Sequence, residues 1–159
     1  MKDDFDRSSS FDGRARARFL AAAENSAADV ARDILASGAL SAQTLERALL
    51  LATAEGQAGF VKFLVDEAGL DLSRCGAEAL ALAVRGREVA VAGVLTRGPG
   101  IPLMPAGPMD THYLDLALTG SNPYSPELLQ LLLDRGAAPI AAGFDSVNTA
   151  LREENADAL

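Results

Sequence analysis

Residues whose side chains could carry out catalysis are few in this chain and far apart. His112 is the only histidine and Cys75 the only cysteine, and 37 positions separate them. A catalytic centre needs an activated nucleophile, a pair of titratable groups or a cluster of metal ligands. One imidazole cannot form a histidine-rich metal site. We therefore interpret Cys75 as an inert loop thiol and His112 as a residue at the start of a helix.

The carboxylates and glycines lead to the same conclusion. Acidic residues are spread along the chain, and no two of them are placed as a general acid and a general base. Gly98-Pro99-Gly100 lacks the lysine and the following helix that a phosphate-binding loop requires. The sequence thus predicts a protein that is not an enzyme and that holds no cofactor and no metal.

Composition and charge limit the classes of partner. The 159 residues carry a formal charge of −8, from 22 acidic and 14 basic residues, so nucleic acid is not expected as a partner. Arg14, Arg16 and Arg18 are a local exception, either a solvated helix start or a docking patch for an acidic partner. A single cysteine and the lack of a long apolar run predict an intracellular protein outside the membrane, in the cytoplasm or alternatively the nucleus.

The elements that must position these residues are predicted to be helices. Apolar residues make up 49% of the chain, but aromatic residues only 5%. Most of the apolar residues are alanine and leucine, which are the strongest helix formers, whereas the β-branched and aromatic residues typical of strands are sparse. The composition predicts an all-α fold.

A short apolar motif that ends in alanine recurs five times. We call its final residues the marker alanines; they are separated by 30, 31, 34 and 33 residues and are Ala22, Ala52, Ala83, Ala117 and Ala150. A second apolar segment with helical spacing follows each of the first four. Small residues lie between the two segments, at Ser26, Gly56 and Gly86. A glycine suited to end a helix in the left-handed conformation closes each second segment, at Gly38, Gly69, Gly98 and Gly136.

Each unit therefore reads as a short helix, a tight turn, a longer helix and a glycine. One such hairpin cannot bury its apolar face alone, but stacked neighbours can. We predict a solenoid of about four and a half helix-turn-helix units, at residues 14–41, 42–72, 73–106, 107–140 and 141–159, after a flexible arm at residues 1–13. The incomplete last unit is either a capping half-repeat or part of a longer array.

The pattern resembles the ankyrin repeat, whose length is about 33 residues. Asp134-Arg135-Gly136-Ala137 is similar to the family's second-helix ending, and Leu51–Gly56 is similar to its first helix and turn. The resemblance covers the chain from about Arg16 onward. It implies a concave binding surface formed by the first helices and by the loops between units.

One opening motif of the family is missing. His112-Tyr113-Leu114-Asp115 occupies the place of the expected Thr-Pro-Leu-His in the fourth unit and keeps only the leucine. Other short polar residues must then cap the helices, and we expect Ser41, Thr44, Asp110 or Ser125 to do so. The chain is thus identified as a divergent member, and a related helical-hairpin solenoid is the alternative.

The connection between the third and fourth units is extended. We compare the connections by the distance from each closing glycine to the residue before the next marker alanine. This distance is 13 positions in three connections, but it is 18 positions from Gly98 to Leu116. Prolines and glycines exclude a helix in this loop, which nevertheless carries the large apolar residues Ile101, Leu103, Met104 and Met109. These side chains either fold back over the edge of the stack or form an exposed finger that inserts into a partner.

Three more residues complete the predicted partner-binding set. Arg85 and Arg87 flank the tight turn of the third unit, and Tyr124 lies in the long turn of the fourth. Tyr124 is either a cover over the end of the hairpin, which we favour, or a surface anchor. The full set is Ile101, Leu103, Met104, Met109, Tyr124, Arg85 and Arg87.

The sequence favours a monomeric adaptor that binds a protein partner through its concave face and the loop at residues 98–109. The alternative is an acidic inhibitor that blocks a basic surface of an enzyme or of a nucleic-acid-binding protein. A third hypothesis is a structural protein whose exposed ends pair with other copies.

Overall fold

The computed structural model describes residues 3–38, 40–98, 100–103, 113–118 and 125–137, with side chains from residue 13 onward. Eight helices lie in these ranges, and none of these residues forms a strand. They are α1 (Asp3–Glu24), α2 (Ala28–Ala36), α3 (Ala42–Ala54), α4 (Ala58–Asp66), α5 (Leu72–Gly86), α6 (Val89–Leu95), α7 (Tyr113–Leu118) and α8 (Pro126–Asp134). The predicted all-α class is confirmed at this level.

The helices form hairpins that pack in two layers. Each odd-numbered helix contacts the even-numbered helix that follows it. The odd-numbered helices also contact one another in the order α1, α3, α5, α7, and the even-numbered helices in the order α2, α4, α6, α8. We call the odd-numbered helices the first helices and the even-numbered helices the second helices. Because each hairpin mainly contacts its neighbours, the core runs along the stack.

The tight turn inside the first three hairpins has one geometry. The carbonyl of each marker alanine accepts a hydrogen bond from the backbone N–H five residues later, in the pairs Ala22–Ala27 at 2.9 Å, Ala52–Gln57 at 2.8 Å and Ala83–Glu88 at 2.9 Å. The residue before each donor is left-handed, and these residues are Ser26, Gly56 and Arg87, with φ of 56°, 67° and 61°. Gly86, expected in the turn, is instead the last residue of α5.

Short polar side chains begin several helices. The hydroxyl of Ser41 accepts a hydrogen bond from the backbone N–H of Thr44 at 3.3 Å, and Ser125 caps α8, which Pro126 begins. Such caps satisfy donors that the first turn of a helix leaves free. Both caps were expected from the sequence, whereas Asp110 lies outside the described residues. The cap of α5, Asp71, was not predicted.

Glycines end three of the second helices as expected, and one glycine differs. Gly38, Gly69 and Gly136 are left-handed, with φ of 71°, 65° and 88°. Gly98 is not left-handed, and the positive φ of 103° lies two residues later at Gly100. A Cβ at Gly98 would lie 2.9 Å from Leu72 Cδ1. The expected helix-ending conformation is therefore wrong for Gly98, where glycine permits close approach to α5.

The core is built from equivalent positions of the units. Three residues before each of the first four marker alanines lies a fully or almost fully buried side chain: Phe19, Leu49, Leu80 and Leu114. The second helices contribute Ile34, Leu64, Leu95 and Leu132. Phe19 packs edge-on against Phe60, with ring centroids 6.0 Å apart. Small residues such as Ala48 and Ala79 are also fully buried, which lets neighbouring first helices approach closely.

The first hairpin differs from the others in its exposure. Arg14, Arg18 and Val30 are exposed, and Val30 is 40% accessible. The equivalent positions in the second and third units are buried, at Thr44, Ala48, Phe60, Cys75, Ala79 and Val91. Phe60 packs against Phe19 of the preceding hairpin, whereas α1 and α2 contact only the hairpin that follows them among the described elements, so they form an end of the described stack.

One expectation about local structure is wrong, and one stays a prediction. Helical backbone begins at Asp3, inside the segment 1–13 that the sequence predicts to be a flexible arm, and the flexibility of this segment stays a prediction. Cys75 was expected in a loop but lies buried in α5, because the cap at Asp71 starts that helix before it.

Candidate partner-binding face

One side of the first helices is exposed at the same repeat positions in two units. Side chains four and then three residues apart lie on one side of a helix. On α3 these are Gln43, Arg47, Leu51 and Ala54, and on α5 they are Arg74, Glu78, Leu82 and Arg85. We call these eight residues the open face. All of them are exposed except the two leucines, which are partly exposed.

The two leucines lie at the centre of the open face, one residue before the marker alanines. The preceding residues, Leu50 and Ala81, pack against the buried core, and those before them, Leu49 and Leu80, are fully buried. Successive helical residues are rotated by about 100°, so a run of three apolar residues cannot point entirely inward. Leu51 and Leu82 are therefore turned towards solvent.

Arginines flank the leucines on both helices. Arg47 lies one turn before Leu51, and Arg85 lies three residues after Leu82. Both arginines are exposed, and neither makes an ion pair with any residue that the structure describes. Arg74 differs, because its Nη1 lies 3.4 Å from Glu46 Oε1 on the neighbouring helix. Two guanidinium groups on the open face thus have free donors.

Two cations on the second helices, Arg32 and Lys62, are paired instead. Arg32 makes two hydrogen bonds to Glu67, of 2.6 and 2.8 Å, which link α2 to α4, and a third to Asp29 at 2.6 Å. Its guanidinium lies 5.5 Å from the centre of the Phe63 ring. The hydrogen bonds from Arg32 lower the pKa of Glu67. Lys62 pairs with Asp66 at 3.0 Å. These cations stabilise contacts within the chain, unlike Arg47 and Arg85.

The structure places four of the seven predicted partner-binding residues. Ile101 and Leu103 are partly buried against the core, so the start of the extended loop folds back onto the stack. Arg85 lies on the open face, and Arg87 is the partly exposed left-handed residue of the turn. The other three, Met104, Met109 and Tyr124, lie outside the described residues.

Ile101 anchors the loop near the beginning of α5. A Cβ at Gly76 would lie 2.6 Å from Ile101 Cγ1 and 2.8 Å from its Cδ1, so only a glycine leaves room for this side chain. Gly76 precedes Arg85 by nine residues, or roughly 13 Å along the helix. The structure therefore does not bring the loop anchor and Arg85 together, and they lie towards opposite ends of α5.

The sequence reasoning missed Arg47 and the two leucines of the open face. In the sequence, Leu51 and Leu82 are noticeable only as members of the repeated apolar motif that ends in a marker alanine. The signal that could have found them is the apolar run itself, since a helix packed on one side cannot bury three consecutive residues. Counting back from the marker alanines also shows that Leu51, Leu82 and Leu116 share one repeat position.

The described residues offer little for catalysis. Burial raises the pKa of the Cys75 thiol, which disfavours the thiolate that would be a nucleophile or a metal ligand. No group of three or more histidine, cysteine or carboxylate side chains among the described residues could hold a metal ion. His112 lies outside the described ranges, so its predicted position at a helix start is untested.

A surface cleft lies between the ends of α4 and α6. Its volume is about 260 Å³, and it is lined by Lys62, Val65, Asp66, Val94, Arg97 and Gly98. Ligand pockets commonly have about 300–1,000 Å³ and a mostly apolar lining. Lys62 and Asp66, which line this cleft, pair with each other, and the cleft is smaller than a typical ligand pocket.

No protein-family model matches the chain, and no curated protein and no solved structure is significantly similar to it. Within the described residues, none of the helices has both the length and the apolar character needed to cross a membrane. The geometry of the open face and of the loop anchor therefore carries the functional argument.

Proposed function

We propose that this chain is a divergent ankyrin-like solenoid that acts without catalysis, as an adaptor that binds a protein partner. The repeated hairpins with their shared turn at the marker alanines support the ankyrin-like assignment. Partner binding would use the open face, which corresponds to the first-helix side of ankyrin-like proteins, together with the loop at residues 98–109. A single cysteine suits a reducing compartment, so we place this activity in the cytoplasm or the nucleus.

The observation that carries the proposal is the pair of partly exposed leucines beside two exposed arginines that make no ion pair among the described residues. Specific interfaces have an apolar centre and a polar rim, and arginine is enriched in them. Leu51 and Leu82 would form such a centre, with Arg47 and Arg85 at its rim. Burying the leucines against a partner would stabilise a complex by roughly 25 cal/mol for each Å² of apolar surface removed from water.

The inhibitor alternative has less support. An inhibitor that covers a basic surface needs an acidic binding face. The open face instead carries the three arginines Arg47, Arg74 and Arg85 against one carboxylate, Glu78. The net charge of −8 therefore does not extend to the surface that we assign to binding.

The test compares proteins captured from cell extract by three forms of the full chain. The binding variant is Leu51→Asp with Leu82→Asp, and the control is Val30→Asp, which places a carboxylate at an apolar side chain that is 40% exposed on the second helix of the first hairpin. Circular dichroism checks that all three are equally helical. We expect one or more proteins captured by the wild type and the control to be lost with the double variant. An identical set from all three forms would refute the proposal.

A second variant tests the contribution of the loop. Met104→Ser with Met109→Ser changes the predicted finger but keeps Ile101, whose contact with Gly76 anchors the loop. We expect weaker capture of the same partner and unchanged thermal stability. Full capture of the partner by this variant would show that the two methionines of the loop do not contribute to binding, and would leave the open face as the proposed site.

A further inference from the structure

We infer that the segment bound by the open face is an acidic amphipathic helix that lies across the first helices. This inference rests on the proposed function and specifies the chemistry of the partner. The open face presents apolar side chains at one repeat position and cationic side chains beside them, and each of these features constrains what can bind.

The partner segment must satisfy its own backbone. Leu51 and Leu82 lie inside α3 and α5, where the backbone N–H and C=O groups already form hydrogen bonds within the helix. The carbonyl of Leu51, for example, accepts from the backbone N–H of Glu55 at 3.0 Å. An extended peptide on this surface would bury unpaired backbone groups, which is costly. A helix pairs these groups internally.

The spacing of the leucines suits a helix that crosses the stack. Packed helices lie about 8–10 Å apart, and seven residues of a helix span about 10.5 Å. Apolar side chains seven residues apart on the partner would therefore meet Leu51 and then Leu82. Leu116, on α7, continues the row at the same repeat position and is also partly exposed.

The charges of the face call for carboxylates on the partner. Arg47 and Arg85 are exposed and have no ion pair among the described residues, and each can bind a carboxylate with two parallel hydrogen bonds. Glu78 occupies the repeat position of Arg47, and Ala54 that of Arg85, so the two arginines lie diagonally across the leucines. Acidic residues on both flanks of the partner's apolar stripe would complement this arrangement.

The experiment uses two designed helical peptides of about 15 residues, long enough to cross the three leucine positions. Both carry leucine at every seventh position, and the flanking residues are glutamate in one peptide and lysine in the other. Binding to the full chain is measured by fluorescence anisotropy. We expect the acidic peptide to bind the wild type at least about tenfold more tightly than the basic peptide.

Charge reversal tests whether the named arginines set this preference. Arg47→Glu with Arg85→Glu should reverse the preference, so that the basic peptide binds more tightly. The matched control, Arg97→Glu with Arg135→Glu, changes the net charge equally at exposed arginines that follow second helices, and should leave the preference unchanged. Leu51→Asp with Leu82→Asp should abolish binding of both peptides.

Several results would overturn the inference. These are a wild-type preference for the basic peptide, no binding of the acidic peptide below about 1 mM, or equal effects of the two charge-reversal pairs. Self-association of the chain that depends on the two leucines would instead assign the face to a second copy. If capture from extract still requires the leucines, the proposed function stands although the acidic helix is excluded. If capture does not require them, the proposed function itself fails.

Discussion

Two helical glycines with different surroundings allow a direct test of the loop anchor. A Cβ added at Gly59 in α4 would have no neighbouring atom within 4 Å. A Cβ added at Gly76 in α5 would instead lie 2.6 Å from Ile101 Cγ1 and 2.9 Å from Leu72 Cβ. Alanine is favoured over glycine inside a helix by about 1 kcal/mol. Gly59→Ala should therefore raise the free energy of unfolding by about that amount.

Gly76→Ala gains the same helix propensity but overpacks the contact with Ile101. Overpacking typically costs about 1–3 kcal/mol, so the two alanine variants should differ by this amount, which leaves Gly76→Ala between neutral and about 2 kcal/mol destabilising. Urea denaturation followed by circular dichroism measures both free energies. Shortening the opposing side chain with Ile101→Ala should be less damaging in the Gly76→Ala background than alone, because it removes the clash. Equal stabilisation by the two glycine substitutions would refute the proposed anchor.

Three further predictions concern stability and assembly. Thr53→Val should raise the free energy of unfolding by about 1 kcal/mol in urea titrations, because the buried hydroxyl has no hydrogen-bond partner and Val84 fills the equivalent position. Asp71→Ala should lower the Tm at pH 7. The hydrogen bonds from Ser73 lower the pKa of Asp71 in the folded state, so the difference in Tm should shrink in melts at pH values that fall through that lowered pKa. Arg14→Thr with Arg18→Ala gives α1 the residue types that are buried in the next unit, Thr44 and Ala48. If charge at these two positions keeps this end of the stack from pairing with another copy, sedimentation of the variant should show concentration-dependent self-association, and a monomer at all concentrations would contradict that role.

The sequence predicted the hairpins well because their turns have a fixed length. In the first three hairpins, the turn that closes on the carbonyl of the marker alanine places its left-handed residue four positions later, so the alanine spacing also sets the turn spacing there. The caps at Ser41 and Ser125 were predictable for a similar reason, since a cap depends only on local sequence. Both features are encoded within a few residues.

Features that depend on a neighbouring helix were not predictable in this way. Arg87, rather than Gly86, takes the left-handed position, although non-glycine residues seldom adopt it. Gly76 is required by the side chain of Ile101, which approaches it from the extended loop, and Gly98 lies close to the side chain of Leu72. The apolar run Leu80–Leu82 indicates that one of its residues is exposed, but which one it is depends on the side of α5 that meets α3 and α6.

The prevalence of contacts between adjacent hairpins also bears on how the chain folds. Proteins dominated by local contacts fold quickly, because little loop-closure entropy is lost before contacts form. Hairpins α3–α4 and α5–α6 have neighbours on both sides, whereas α1–α2 and α7–α8 each have one only among the described elements. Local opening should therefore begin at these two ends of the described stack and reach α3 and α5 last. The leucines of the open face should thus lie on the slowest-exchanging part of the described stack, where a partner would find a surface that is ordered before it arrives.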